Sequence, residues 1–246
     1  QFTAKKILQY SIILLGFGMN LFEILAVGSQ SLLIIVSTIG TALITAYILS
    51  RIMNIERDIA TLVGVGSSIC GGSAIAAAAP VIKASDKDIA QSISVIFLFN
   101  VVAAFLFPAL GDMLGFTDTG FGMWAGTAIN DTSSVVAAGQ TWASAHGSDT
   151  ALNYATIVKL TRTLAIIPIC LGLAYITSKT KNTAADVKIT SIFPMFILYF
   201  VIAAIFNTLA GESLPVLAQL PSIGKFMIAM AMAAIGLNTC LLYTSP

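Results

Sequence analysis

Residues 64–80 read GVGSSICGGSAIAAAAP, and residues 126–139 read GTAINDTSSVVAAG. Both stretches are rich in Gly, Ser, Thr and Ala, and each lies inside an apolar run long enough to cross a bilayer. Glycine weakens a helix by about 1 kcal/mol relative to alanine. In hydrocarbon, a broken backbone persists only where protein or a watery cavity surrounds it. Because two interrupted membrane segments are the best sequence indication of a transport site, we predict a secondary transporter.

The composition is that of an integral membrane protein. Of the 246 residues, 57% are hydrophobic and 9% are charged, whereas soluble domains carry about 25% charged residues. The net charge is +1 and the sequence has no basic cluster, so we expect no nucleic-acid partner. The expected surroundings are therefore a lipid bilayer, which the chain crosses several times.

Eight apolar segments are predicted to be membrane helices. They cover approximately residues 7–27, 31–50, 59–82, 89–111, 121–143, 151–177, 189–209 and 222–242. If every segment crosses, one side of the membrane collects seven basic residues and the other side two. This bias places the first side in the cytoplasm, and it favours crossing by the third and fifth segments over re-entrant hairpins. Pro168 is expected to bend the sixth segment.

The first interruption predicts an anion-binding half-site. Adjacent glycines favour an unwound turn followed by a half-helix, whose N–H groups can bind an anion together with nearby serine hydroxyls. Close packing of small residues against another helix is the alternative. A phosphate-binding P-loop is disfavoured because no GK[ST] follows. The predicted half-site consists of Ser67, Ser68, Gly71, Gly72 and Ser73.

The second interruption adds a carboxylate. Asp131 stands about ten residues into an apolar segment, where a charge costs a few kcal/mol and is usually paired, protonated or functional. Capping of a half-helix is the structural alternative. The predicted second half-site consists of Asn130, Asp131, Thr132 and Ser133.

The candidate cation lies in the following segment. Lys159 and Arg162 are three residues apart and therefore share one helical face. We expect Arg162 to face the cavity as a counter-charge for an anion or for Asp131, with a structural ion pair to Asp131 as the alternative. Lys159 is nearer the end of its segment, where it can also extend towards the interface.

We expect neither a metal nor a cofactor. Cys70, Cys170 and Cys240 lie in apolar segments without metal-ligand spacing and are expected to be small buried side chains. His146 stands alone in a polar loop. An intramembrane aspartyl protease would need a second acid beside Asp131, and a serine protease would need a histidine partner, so no enzyme is predicted. A non-transporting scaffold or receptor would have continuous packed helices.

These motifs resemble the YeiH-type family of bacterial membrane proteins, to which sulfate export is ascribed as a hypothesis. The matching stretches occur in the family's order: IILLGFGMNL (12–21), GVGSSICGGSAIAAAAPVIKA (64–84), GTAINDTSSVVAAG (126–139), KLTR (159–162) and AMAMAAIGLNT (229–239). Relatives often carry His-Glu where this chain has Asn130-Asp131, so a histidine-based proton relay is not implied here.

The resemblance implies an inner-membrane protein with a plan similar to bile-acid symporters and cation–proton antiporters, in which two discontinuous helices cross near the midplane. An echo between Gly18-Met19-Asn20 and Gly236-Leu237-Asn238 fits an inverted repeat. We expect residues 1–246 to be a single all-α transmembrane transporter domain, incomplete at both ends, with residues 241–246 as a non-native tail. Assembly into a homo-oligomer is compatible with the sequence.

The predicted function is secondary active transport of a small inorganic or organic anion, such as the sulfur oxyanion sulfate. A proton or cation gradient would drive it, with Asp131 as the coupling group. The alternative is a cation/proton antiporter in which Asp131 is the ion site.

Overall fold

The computed structural model describes residues 2–181, 195–210 and 219–238, which form helices and no strand. The helices are α1 (Phe2–Gly16), α2 (Leu21–Ile52), α3 (Arg57–Ser68), α4 (Gly72–Ile82), α5 (Asp86–Met113), α6 (Asp118–Ala128), α7 (Thr132–His146), α8 (Thr150–Thr163), α9 (Ile166–Lys181), α10 (Met195–Ala210) and α11 (Leu220–Asn238). The predicted all-α class is confirmed for this part of the chain. Residues 241–246 and Cys240 lie outside it.

Within the described residues, three stretches are long and apolar enough to cross a membrane: Leu21–Ile52, Asp86–Met113 and Thr150–Thr177. They contain the second, fourth and sixth predicted segments. The number of eight crossings stays a prediction.

The chain divides into two compact units, Gln1–Val27 with Pro194–Pro246, and Gly28–Phe193. In the first unit, α1 packs closely on α10 and α11 because glycines remove side chains from the contacts. A Cβ on Gly16 would lie 2.7 Å from the carbonyl oxygen of Phe200, and one on Gly224 would lie 3.0 Å from that of Ser11. The second unit contains α3 to α9 and all the predicted site residues.

The predicted boundary between the first two segments is wrong. The chain turns at residues 17–20 rather than at residues 28–30, and α2 runs without a break through the latter. Asn20 Oδ1 accepts from Phe22 N at 2.8 Å, so this side chain caps the start of α2. Ser31 Oγ donates to the Gly28 carbonyl at 2.9 Å, which satisfies a polar side chain inside the helix.

The sixth predicted segment is interrupted where Pro168 predicts a bend. α8 ends at Thr163 and α9 begins at Ile166. Proline has no N–H to donate to the carbonyl four residues earlier, here Leu164. That carbonyl accepts instead from Ile167 N at 3.2 Å.

Residues 118–146 fold back on themselves and form what we call the second hairpin. A straight alignment of α6 and α7 would separate Asp118 from Trp142 by roughly 36 Å. The Trp142 indole nitrogen instead donates to Asp118 Oδ1 at 2.8 Å, and its ring stacks on Phe121 with centroids 4.1 Å apart. The two helices are therefore antiparallel, with residues 129–131 at the tip and the ends near Asp118 and Trp142 at the base.

Residues 57–82 form the first hairpin, with residues 69–71 at its tip. Arg57 and Asp58 at the start of α3 line the same cavity, of about 80 Å³, as Ile82 at the end of α4. A straight alignment would separate these ends by roughly 38 Å. Closer to the tip, a Cβ on Gly66 would lie 3.0 Å from the Ile75 side chain, so α3 and α4 run side by side.

Both predicted interruptions are confirmed, but the prediction of two discontinuous helices that cross each other is wrong. The four half-helices contain 12, 11, 11 and 15 residues, which is too short to cross a hydrocarbon layer of about 30 Å. The buried side chains of α3 and α4 belong to one apolar cluster, and those of α6 and α7 belong to another. The two half-helices of each hairpin thus share one apolar cluster, which Ile96, Ile166 and Cys170 complete for the first hairpin and Ala151 and Ala155 for the second.

The two hairpins point towards each other along α5. α5 follows directly on the base of the first hairpin, and its other end packs on the base of the second. There, a Cβ on Gly111 would lie 2.7 Å from both Phe121 and Trp142, and His146 Nε2 lies 3.1 Å from Asp112 Oδ1. Because a helix of 28 residues is about 42 Å long, the bases lie far apart and the tips meet near the middle of α5.

The stretch made of α8 and α9 runs back between the same two bases. Gly122, near the second base, packs on the backbone of Ala151 and on Tyr154. At the other end, Leu173 and Ile176 line the cavity at the first base. Lys159 and Arg162 therefore lie close to the middle of this stretch, beside the two tips.

Candidate functional site

The first tip turns on Gly71. Its φ of +69° and ψ of −128° belong to a region open essentially to glycine. Its N–H donates to the Gly66 carbonyl at 2.9 Å, and its own carbonyl accepts from Ala74 N and Ile75 N. No side chain caps the N-terminus of α4. The first N–H groups of α4 thus lie at an uncapped and electropositive helix end.

The second tip turns through extended residues that side chains hold in place. Asp131 is the N-cap of α7, with φ of −87° and ψ of 136°, and its Oδ2 accepts from Ser133 N at 3.1 Å. The N–H groups of Asn130 and Asp131 both donate to Asn100 Oδ1 at 3.0 Å. The positive end of α7 therefore has a carboxylate of its own.

Lys159 connects the two tips. The side chain is completely buried, and Nζ donates to the carbonyl oxygens of Ile69 at 2.7 Å and Ile129 at 3.0 Å. These carbonyls follow directly on the C-terminal ends of α3 and α6. A positive charge is favourable there because the C-terminal end of a helix is electronegative.

Arg162 makes a second connection one helical turn further along α8. Its Nε donates to the Ser68 carbonyl at 2.8 Å, Nη2 donates to the Ser67 carbonyl at 2.7 Å, and Nη1 donates to the Thr127 carbonyl. The guanidinium is 2% exposed. Its fixed fork of donors therefore binds the last carbonyls of both α3 and α6.

Asn100 lies between the two tips, halfway along α5. It is 2% exposed, and its Nδ2 has no hydrogen-bond partner among the described residues. A Cβ built on Gly71 would lie 3.5 Å from this nitrogen and 3.7 Å from the Cβ of Asp131. The amide oxygen of Asn100 thus accepts hydrogen bonds from the second tip, while its amide nitrogen lies next to the first tip.

The residues predicted for the first half-site do lie together, with different roles from those expected. Ser67 and Ser68 reach Arg162 through their main-chain carbonyls, while their hydroxyls donate to carbonyls within α3. Gly71 and Gly72 form the turn and the start of α4. Ser73 is exposed beside them.

The residues predicted for the second half-site form the second tip and the first turn of α7. Asn130 contributes its N–H, Asp131 caps the helix, Ser133 donates to that cap, and Thr132 is half-buried between them. The capping alternative for Asp131 is confirmed. The ion pair between Arg162 and Asp131 stays a prediction, as does the role of Asp131 in coupling.

Sequence reasoning missed two residues of this site. Lys159 does not extend to the membrane interface, and its position in the middle of an apolar stretch was the available signal. Asn100 escapes notice because a single asparagine in an apolar helix is commonly a bridge to a neighbouring helix. It stands at the centre of the longest apolar run between the two motifs, and that placement would have connected it to them.

Of the remaining predicted features, Cys70 lies in the first tip, and Cys170 and His146 lie away from both tips. Cys70 and Cys170 are free and buried, as expected. His146 does not lie in a loop but ends α7, because its ring stacks on Trp142 and pairs with Asp112. No cluster of three His, Cys, Asp or Glu side chains that could hold a metal occurs within residues 2–181, 195–210 and 219–238.

Comparison with known proteins places this arrangement in a family. A model of the family described as Conserved hypothetical protein 698 matches residues 1–242. A UPF0324 membrane protein of Fusobacterium nucleatum is 55% identical over 97% of this chain and 73% of its own length. A UPF0324 membrane protein of Streptococcus mutans is 56% identical over 97% of this chain and 72% of its own length.

The chain belongs to the UPF0324 membrane protein family. The resemblance to YeiH-type proteins is thereby confirmed. No solved structure matches the chain. The names of these relatives identify membrane proteins and state no substrate, so the chemistry of the two tips has to supply the functional argument.

Proposed function

We propose that this UPF0324 protein is a secondary active transporter of a small anion, driven by a proton or cation gradient. The observation that carries the proposal is the meeting of two hairpin tips beside Asn100, Lys159 and Arg162. Broken backbone in the middle of a membrane protein is expected where it lines a path for a polar substrate. Buried charged side chains at that depth are functional by default.

The order of elements supports a transporter with an inverted repeat. The first hairpin is followed by the long helix α5, and the second hairpin is followed by the stretch of α8 and α9. The two hairpin-and-helix units run in opposite directions along the same axis. Repeats of inverted direction that meet at a central site are common in secondary transporters.

The distribution of charge supports hairpins that enter from opposite sides of the membrane. In the second unit, the described basic side chains outside the helix interiors cluster around the base of the first hairpin and the end of α2. They are Arg51, Arg57, Lys83 and Lys87. The opposite end carries no Lys or Arg among residues 112–118 and 147–149. By the positive-inside rule, the base of the first hairpin is cytoplasmic.

This placement supplies a simple route for alternating access. Displacement of the first tip would open the site towards the cytoplasm, and displacement of the second tip would open it towards the other side. Such transport requires that the two tips are not displaced at the same time. Lys159 and Arg162 each bind carbonyls of both tips, so they connect the two gates to each other.

The charges favour an anion over a cation. Two basic side chains and one acidic side chain meet at the tips, and the positive end of α4 adds to the excess. The carbonyls that could coordinate a cation are already used by Lys159 and Arg162. Asp131 is the residue that can take up the coupling proton, because its carboxylate and a nearby anion carry like charges and protonation removes their repulsion.

Flux through proteoliposomes tests the proposal. We expect the protein to move radiolabelled sulfate or sulfite in response to an imposed pH gradient, and Asp131→Asn to abolish the response to that gradient. Asparagine caps helices about as well as aspartate, so the substitution removes the charge and keeps the cap. Asp112→Asn, at the exposed base of the second hairpin, is the matched control and should leave the flux unchanged. Flux that still responds to the pH gradient in Asp131→Asn would refute the coupling role of Asp131.

The second candidate is a cation/proton antiporter, which the carboxylate of Asp131 near the tips favours. The same proteoliposomes separate the two functions. Exchange of sodium or potassium for protons, with no anion flux, would replace the anion proposal by the antiporter.

A further inference from the structure

We propose that Asn100 is a ligand-binding residue, and that its amide nitrogen and the first N–H groups of α4 together bind a small oxyanion. The inference rests on the anion transport proposed above and identifies the groups that would recognise the anion. It starts from one observation: a buried donor, Asn100 Nδ2, is left without a partner among the described residues. Burying an amide donor without a partner is unfavourable, so a ligand that satisfies it gains affinity.

The orientation of the Asn100 amide is fixed by the second tip. Oδ1 accepts from two N–H groups, those of Asn130 and Asp131. If the amide oxygen and nitrogen exchanged places, Nδ2 would face the N–H groups of Asn130 and Asp131, and three donors would lie together without an acceptor. Nδ2 must therefore point towards Gly71, where it can donate but cannot accept.

Gly71 and Gly72 place no side chain between this nitrogen and the start of α4. A Cβ on Gly71 would meet Ile96 at 3.2 Å and Asn100 Nδ2 at 3.5 Å, so the nitrogen lies directly against the turn. A Cβ on the next residue, Gly72, would have no heavy atom within 4 Å. Two neighbouring glycines thus leave a gap in side chains between the amide of Asn100 and the N–H groups at the start of α4.

The chemistry of the gap selects an acceptor. The N–H groups at the start of an α-helix have no partner within the helix, and Asn100 Nδ2 can only donate. The electropositive helix end and the nearby ammonium of Lys159 both favour negative charge. A metal cation would find donors where it needs oxygen ligands. A small oxyanion, with several acceptor atoms on one compact centre, satisfies all three N–H directions.

Binding of sulfate to the purified full chain in detergent, measured by titration calorimetry at constant ionic strength, tests the inference. The key variant is Asn100→Asp, which keeps an acceptor for the N–H groups of Asn130 and Asp131 and replaces the donor by oxygen. A carboxylate that accepts two backbone N–H bonds is favoured in its charged form, so it repels an anion. We expect sulfate affinity to fall by about tenfold or more.

Two further variants keep the test independent of folding defects. Gly72→Ala leaves Asn100 intact and places a methyl group in the gap, where the space is empty and alanine suits the helix. We expect sulfate binding about tenfold weaker with an unchanged melting temperature. Ser92→Ala removes the other unpartnered buried donor on α5, two helical turns from Asn100, and should leave sulfate affinity within about twofold of the original.

The outcomes separate this inference from the proposed function. Sulfate affinity that is unchanged in both Asn100→Asp and Gly72→Ala would overturn the donor assignment and leave anion transport standing. Failure of the unsubstituted protein to bind sulfate, sulfite or methanesulfonate, while it exchanges cations, would overturn the proposed function and this inference with it. Loss of binding in both variants, with binding kept in Ser92→Ala, supports it.

Discussion

In the first hairpin tip the backbone turns on a glycine at φ +69°, whereas in the second it turns through residues of ordinary conformation. The first tip relies on backbone freedom and leaves its helix end uncapped. The second relies on side chains, because Asp131 and Asn100 hold its N–H groups. The difference favours the first tip, whose donors are still available, as the place where the proposed anion binds.

Both tips are attached to α8 through buried hydrogen bonds, and removing these bonds should have the largest effect on stability. Arg162→Leu leaves the carbonyls of Ser67, Ser68 and Thr127 without their donor in a buried place. Because each unpaired buried acceptor costs about 1–3 kcal/mol, we expect a loss of roughly 3–5 kcal/mol in the free energy of unfolding. Thermal unfolding in detergent measures it.

Arg162→Lys is the control for charge. Lysine keeps the positive charge but lacks the fork of donors that reaches three carbonyls. The stability of Arg162→Lys should therefore lie between that of Arg162→Leu and that of the unsubstituted protein. Equal stability of Arg162→Leu and the unsubstituted protein would show that the carbonyls are not held by this side chain.

The comparison of the tips predicts a second, smaller effect at Gly71. Gly71→Ala forces a side chain into a conformation reserved for glycine and should destabilise the protein by roughly 1–3 kcal/mol. The matched substitution in the second tip, Asn130→Ala, meets no positive φ and should cost less than about 1 kcal/mol. Similar melting temperatures for the two variants would remove the distinction between the tips.

The bases of the hairpins differ as well, and this gives the smallest predicted effect. The Trp142 indole donates to Asp118 and, with the Ser148 hydroxyl, holds the pKa of that carboxyl below its ordinary value of 3.8. A lowered pKa means that the folded state binds the proton less tightly than the unfolded state. The contribution of Asp118 is therefore complete above about pH 4 and is lost as the pH falls below that range.

Asp118→Asn isolates this contribution because asparagine can still accept from Trp142 but cannot titrate. Between pH 5.5 and pH 3, we expect the melting temperature of the unsubstituted protein to fall slightly more than that of the variant. Parallel curves would show that this contact does not couple folding to protonation. The first hairpin has a cavity in the corresponding place.

Much of this site could be read from the sequence, and the main error was geometrical. Gly71-Gly72 and Asn130-Asp131 mark both interruptions because their residue types disfavour a continuous helix. Hydropathy cannot tell one straight span from two short helices that fold back, since both contain the same residues. The charges did carry that information: with both segments re-entrant, Lys83 and Lys87 join Arg51 and Arg57 on one side, so the bias becomes stronger.

The contacts that make the site could not be derived from local pattern. Lys159 and Arg162 bind backbone carbonyls that lie 30 to 95 residues away. Nothing in the sequence near a carbonyl indicates which distant side chain binds it. Asn100 likewise depends on two tips meeting at the centre of α5, which is a property of the tertiary arrangement.

The central claim, that residues 57–82 and 118–146 are hairpins rather than straight spans, is tested most directly by distances between spin labels in a cysteine-free background. Labels at the exposed positions Arg57 and Lys83, and in a second sample at Thr119 and Ser144, would report the separation of the two ends. We predict that both pairs lie far closer than the roughly 38 Å expected of a straight helix of that length. Separations near that value would contradict the hairpins and the site that their tips form.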